Sequence, residues 1–213
     1  MSKIIERKMN RLLYEQAVLP KRNRQELILL LLETIKFLNI NAGQDKDYGL
    51  VQIKVDKMSR VFYQVKDKMF SISFPFYLEI ISENEWKIYD NSTEIEVTEK
   101  IISDMIRIIQ RQNTQCISIE ELYDEFCNDV LENDEYEEIN NAWKVLMTLF
   151  SMEIGYIRYD YDKMHENEKI HPLNHLDINY SGYCTYKLGL KKEMKLSEFA
   201  DIMDIRTECK YIQ

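Results

Sequence analysis

"HPLNHLDINYSGYCTYKLGL" spans residues 171–190, and whether it folds as helix or strand decides the architecture of the C-terminal part of the chain. A helix would bring His171 and His175 onto one face, the spacing of a helical zinc pair. Two features oppose that. Pro172 follows the first histidine, lacks an N–H and suits the start of a strand, which leaves His171 in the incoming loop. The segment "HLDINY" then alternates, with Leu176, Ile178 and Tyr180 on one side and His175, Asp177 and Asn179 on the other. The reading is therefore a strand over 175–180, a tight turn at Ser181–Gly182 and a second strand over 183–188.

Working outward, "YIRYDYD" at 156–162 has the same two-residue period: Ile157, Tyr159 and Tyr161 share a face, opposite Arg158, Asp160 and Asp162. If the three strands are neighbours, their apolar faces form one core and their polar faces gather Arg158, Asp160, Asp162, His175, Asp177, Thr185 and Lys187. Carboxylates hold hard divalent ions, and a lysine or histidine supports an attacking water or a developing charge. Asp160, His175, Asp177 and Lys187 are thus candidate catalytic residues for metal-dependent phosphodiester cleavage. The plainer reading of the same residues is the charged, wet outer face usual for an antiparallel sheet.

Upstream, Ile4, Ile5, Met9, Leu12, Leu13 and Ala17 recur at helical spacing and predict a helix over 3–18, ended by Pro20. A second helix over 24–40 is apolar all round at its centre, which predicts burial, and "NAGQDKDYG" reads as a turn. "LVQIKVDK", "RVFYQVKD", "FSISFPFYLEII", "EWKIYD" and "TEIEVTE" read as an antiparallel meander, with an edge or bulge at Pro75. Thr98, and Ser118 with Glu121, have capping positions for two helices, and a third runs over 135–152. Ser197 is the expected cap of a last short helix, "EFADIMD". The fold class is α+β: N-terminal helices, meander, central helical block, C-terminal antiparallel strands and a short helix. The 213 residues form one α+β unit, with a subdivision at 1–97 and 98–213 as the alternative.

Composition narrows the function classes. With 45% hydrophobic and 31% charged residues, the chain is an ordinary globular protein. The longest apolar run, Leu27–Leu32, falls far short of a membrane span of roughly 20 residues, and the N-terminus lacks a signal-peptide pattern, so the protein reads as cytoplasmic and free of the membrane. Cys116, Cys127, Cys184 and Cys209 form no CxxC pair, which points to reduced core cysteines and leaves no metal-ligand set assigned.

The net charge of −9 argues against a dedicated nucleic-acid coat, but the charge is uneven. Residues 112–143 contain no Lys or Arg and ten acidic groups, which form a solvated helix face or a docking surface for a basic partner. Lys3, Arg7, Lys8, Arg11, Lys21, Arg22 and Arg24 crowd the N-terminal segment and are candidate phosphate contacts for nucleic acid. Neither a Gly-rich phosphate loop nor a G-x-S-x-G motif occurs.

The C-terminal motifs together resemble a bacterial domain family of unknown function. That family has an aromatic-Asp-Tyr-Asp strand, an H-P-x-x-H-Leu segment, a strand beginning at a cysteine and a terminal helix with a Phe. The matching positions are Arg158, Asp160, Tyr161, Asp162, His171, Pro172, His175, Leu176, Cys184 and Phe199, within residues 155–205. This chain has Thr185 where the family tends to carry an arginine, which removes any role resting on that group, although Lys187 shares its face. The resemblance implies a setting in multi-gene loci for defence against phage rather than a reaction. Two functions are therefore expected to compete. One is a small accessory or adaptor subunit of a bacterial defence or DNA-transaction complex, docking on a larger partner such as an ATPase or nuclease, with no cofactor. The other is a nuclease-like effector that uses a divalent metal on the polar strand face.

Overall fold

The computed structural model describes residues 3–21, 23–39, 48–56, 58–82, 85–110, 118–132, 136–178 and 186–211. The fold class is the expected α+β mixture, with six helices, a seven-stranded antiparallel sheet and a two-stranded sheet among the described residues. The chain divides into two compact units that interleave along the sequence rather than following 1–97 and 98–213. The first comprises residues 1–23, 43–74 and 153–213, and the second residues 24–42 and 75–152.

The first unit is the large sheet with two helices. Its strands are β1 (Lys3–Lys8), β2 (Leu50–Val55), β3 (Arg60–Val65), β4 (Lys68–Ser73), β7 (Ile157–Tyr161), β8 (Asn174–Ile178) and β9 (Tyr186–Leu190), in the spatial order β1-β2-β3-β4-β7-β8-β9. The helices are α1 (Arg11–Val18) and α6 (Leu196–Ile202). The expected helix over 3–18 is corrected here. Its first six residues are an edge strand paired with β2 from Lys3↔Val55 to Lys8↔Leu50, and only 11–18 are helical, capped by the Asn10 side chain accepting from the Leu13 N–H. The apolar residues of so short a segment fit both periods, and pairing with β2 decides between them. Glu6 and Lys8 suit an edge, where charge opposes further strand addition.

Met9, Leu13 and Ala17 are buried, as are Val51, Ile53, Tyr63 and Val65 on the sheet face that α1 covers. The opposite face carries a separate core of Phe62, Met69, Tyr159, Leu176, Phe199 and Ala200, flanked by Ile157, Tyr161, Ile178 and Leu188. Phe199 of α6 meets Phe62 edge-on at 6.2 Å between ring centres. The α6 helix begins two residues earlier than expected: Lys195, not Ser197, stands at its N-terminus, where its N–H donates to Glu198 Oε2 at 3.0 Å.

Beyond α6, Asp204 accepts from Lys54 Nζ of β2 at 2.6 Å and from Arg206, and Arg206 also pairs with Asp56 at 2.7 Å. Hydrogen bonds from Arg206 and Lys54 hold the Asp204 carboxyl well below the ordinary carboxylate range. A carboxyl whose pKa is lower in the folded state contributes stability above its unfolded value of about 3.9, and that contribution is lost as pH falls through the folded value. Asp204→Asn is therefore expected to flatten the acid limb of the thermal-melting profile below about pH 4. An acid limb that superimposes on wild type would show that the clamp carries no pH-linked stability.

The second unit contains α2 (Arg24–Asn39), the hairpin β5 (Phe76–Ser82) and β6 (Glu85–Asp90), α3 (Glu99–Gln110), α4 (Ile119–Glu132) and α5 (Tyr136–Ser151). The all-round apolar centre of α2 is buried, from Leu27 to Leu38. Both expected caps form: Thr98 Oγ1 accepts from the Ile101 N–H, and Ser118 and Glu121 exchange hydrogen bonds. Two strand expectations are corrected. The run "FSISFPFYLEII" is two strands, β4 and β5, which lie in different sheets because Pro75 interrupts the ladder; the register irregularity falls at Ile80–Ser82 instead. "TEIEVTE" forms only an isolated bridge, Tyr89↔Glu96. Among the described residues no helix is long and apolar enough to cross a membrane. Cys127 is half-buried and Cys209 exposed, so the reading of all four cysteines as core residues fails at Cys209. Cys116 and Cys184, the Ser181–Gly182 turn and most of "NAGQDKDYG" lie outside the described residues.

Candidate functional site

Residues paired directly across antiparallel strands point to the same face, so register alone sets out the polar cluster. One row runs Lys68 (β4), Asp160 (β7), His175 (β8), Gly189 (β9). The next runs Phe70, Arg158, Asp177, Lys187 on the same strands. The expected strand faces are thus present, and three of the four candidate catalytic residues converge. Asp160, His175 and Asp177 each offer a ligand-type atom within 4.8 Å of the others. Lys187, the fourth, pairs with Asp177 in the ladder and is exposed.

Arg158 sits between the carboxylates. Its Nε donates to Asp160 Oδ2 at 2.6 Å and its Nη2 to Asp177 Oδ2 at 2.6 Å. The cluster is largely withdrawn from water: Asp177 is 5% exposed, His175 1%, and the Arg158 side chain 20%. Burial works against the guanidinium charge, but Asp160, Tyr156 and Asp177 outweigh it and hold Arg158 above its ordinary range. Tyr156, which hydrogen-bonds Arg158, is buried enough for its phenol to be pushed up to about 12. The Asp177 Oδ1 atom is buried and makes no hydrogen bond among the described residues.

The three histidines gather as the sequence window promised. The His171 and His175 rings meet edge-to-face at 4.5 Å, and His165 lies 6.3 Å from His171. His175 Nδ1 is 2.8 Å from the Pro172 carbonyl, which assigns the proton to Nδ1, and Nε2 lies 3.5 Å from Asp160 Oδ2. Asp162 lies 2.9 Å from His165 Nδ1 and accepts from the Met164 and His165 N–H groups. Pro172 packs so closely over β9 that a Cβ on Gly189 would stand 2.9 Å from its Cγ. His175→Ala would strand the Pro172 carbonyl and open a void, for an expected cost of roughly 1–3 kcal/mol. Equilibrium denaturation measures it, and a variant as stable as wild type would show that the histidine is not a structural post.

The basic N-terminal residues are divided, which corrects their reading as one helical patch. Lys3, Arg7 and Lys8 belong to β1, and Arg11 pairs with Glu15 at 2.7 Å. Lys21 is 6% exposed rather than open to a phosphate backbone. Arg24 lies in the second unit, donating to the Phe150 and Met152 carbonyls, and Arg22 lies outside the described residues.

Beside the cluster opens a cleft of about 500 Å³ lined by Tyr14, Lys68, Arg158, Tyr161, Lys163 and His171 among others. Sequence reading missed Lys68 and Tyr156. Lys68 stands in a strand seen only as part of a meander, and its place beside Asp160 needs the β4–β7 pairing, which joins residues far apart in the chain.

The unit is thus defined by a seven-stranded antiparallel sheet carrying an arginine-bridged pair of carboxylates, one buried and one half-buried. The chain matches no protein-family model, no curated protein and no solved structure.

Proposed function

We propose that this chain is a small, non-catalytic accessory subunit of a cytoplasmic multi-protein assembly in bacteria, with defence against phage as its setting. The observation that carries the reading is Arg158. Both carboxylates that could hold a metal are already bridged by its guanidinium at 2.6 Å, and the Asp177 side chain is only 7% exposed. A nuclease centre needs carboxylate oxygens open to an ion and to substrate; carboxylates bridged by a guanidinium instead brace β7 against β8.

The surface offered to a partner is acidic. Glu120, Glu121 and Asp124 of α4 and Glu137 of α5 are exposed, next to half-exposed Tyr123, while Leu122, Phe126 and Ile139 point inward. Such a face suits a basic surface on a larger ATPase or nuclease subunit. Co-expression with the products of the adjacent genes tests this: a stoichiometric complex is expected, weakened by the charge reversal Glu120→Lys/Asp124→Lys/Glu137→Lys. A complex indifferent to that reversal would refute the acidic face as the docking surface.

The second reading, a divalent-metal nuclease-like effector, rests on Asp160, His175 and Asp177 lying within 4.8 Å of one another. It requires Arg158 to leave its two carboxylates. Cleavage of DNA or RNA that depends on Mg²⁺ or Mn²⁺ and disappears in Asp177→Asn would establish it and overturn the accessory role.

A further inference from the structure

We propose that the cleft beside the carboxylate pair is a binding site for a small phosphate monoester carried on a flat ring, with Lys68 as the residue that holds the phosphate. Lys68 is a charge without a paired counter-charge among the described residues. Lys68 Nζ is half-buried, donates to the Val18 carbonyl at 2.6 Å and lies 5.7 Å from the centre of the Phe70 ring. Among the described residues no carboxylate forms an ion pair with it. Its ladder neighbour Asp160 is engaged by Arg158. A cation held this way is costly, because burial penalises the charged form and no carboxylate among the described residues pairs with it directly. Burial first, then the Arg158 charge, lower its pKa to about 8 against an opposing pull from Asp160, with Lys21 adding to the lowering. An anion entering the cleft would remove that penalty.

The rest of the lining narrows the anion. Lys163 lies over the Tyr161 ring at 5.1 Å from its centre and, among the described residues, pairs with no carboxylate. Two ammonium groups without counter-ions match the double charge of a phosphate monoester, for which lysine acts as a point charge. His171, whose buried Nδ1 has no hydrogen-bond partner among the described residues, lines the same cleft. Tyr14 and Tyr161 supply aromatic walls, and a volume of about 500 Å³ is that of a mononucleotide-sized pocket rather than of a bare ion site. Of the acidic lining residues, Asp67 lies 3.9 Å from Lys66, Asp160 shares the Arg158 guanidinium with Asp177, and Asp162 accepts from the Met164 and His165 N–H groups. The inference stands apart from the accessory role, since it needs no partner protein.

Calorimetric titration of the full chain with AMP, inorganic phosphate and adenosine tests it. AMP is expected to bind more tightly than phosphate, adenosine to bind negligibly, and Lys68→Met to weaken AMP about tenfold or more. The same variant should melt no lower than wild type without ligand, because it replaces a desolvated cation by an apolar chain of similar length. Absence of saturable binding at millimolar AMP would overturn the proposal, as would equal binding by wild type and a folded Lys68→Met.

Discussion

Arg158→Met is expected to lower the stability of the sheet unit by about 3–5 kcal/mol, the usual consequence of removing one partner from a buried ion network. The variant would leave the Asp160 and Asp177 carboxylates facing each other with no cation between them, Asp177 being 5% exposed. Tyr156 would lose its hydrogen-bond partner as well. For a chain of this size such a loss lowers the melting temperature by roughly 10 °C. The cost belongs to the charges left behind, not to the arginine's own packing. Arg158→Met combined with Asp177→Leu should therefore recover much of it, since buried ion pairs are often replaceable by apolar groups of similar volume. The single variant is also where a divalent ion should bind: millimolar Mn²⁺ should raise its melting temperature more than that of wild type, because Asp160, His175 and Asp177 already converge. A single variant that melts like wild type would remove the arginine bridge as an organising feature of this face.

The second large effect is expected on the opposite face. Phe199 is fully buried where α6 lies on the sheet, against Phe62 and the core of Met69, Tyr159 and Leu176. Phe199→Ala should cost about 3–5 kcal/mol, combining lost transfer free energy with a cavity that a short helix and a rigid sheet can only partly close. Phe199→Leu should cost markedly less, because it keeps most of the volume. Chemical denaturation followed by far-ultraviolet circular dichroism separates the two. Equal stability of the alanine and leucine variants would mean that α6 contributes little to the sheet.

These effects fall on opposite faces of the same strands, and that division was legible in the residues. The alternation in "IRYDY" and "NHLDI" assigned Tyr159 and Leu176 to one side and Arg158, Asp160, His175 and Asp177 to the other. Side-chain direction in a strand has a period of two whatever its partners are. The caps at Thr98 and Ser118 and the buried centre of α2 were legible for the same reason: each depends on residues within a few positions of one another.

Where the decision lay in long-range pairing, local pattern failed. "KIIERK" has apolar spacing that suits a helix, and only an available β2 edge makes it a strand. Pro75 announced a break, but that β4 and β5 part into separate sheets depends on what each then pairs with. The arginine bridge is of the same kind. Local alternation could put Arg158 beside Asp160 on one face, but the β7–β8 register alone brings Asp177 level with it and the β4–β7 register alone brings in Lys68. Sequence by itself determined the kinds of residue on each face, because their alternation is local. Tertiary structure decided which charges meet and which stand without a counter-charge, because register joins segments nearly a hundred residues apart and burial sets the cost of every unpaired group.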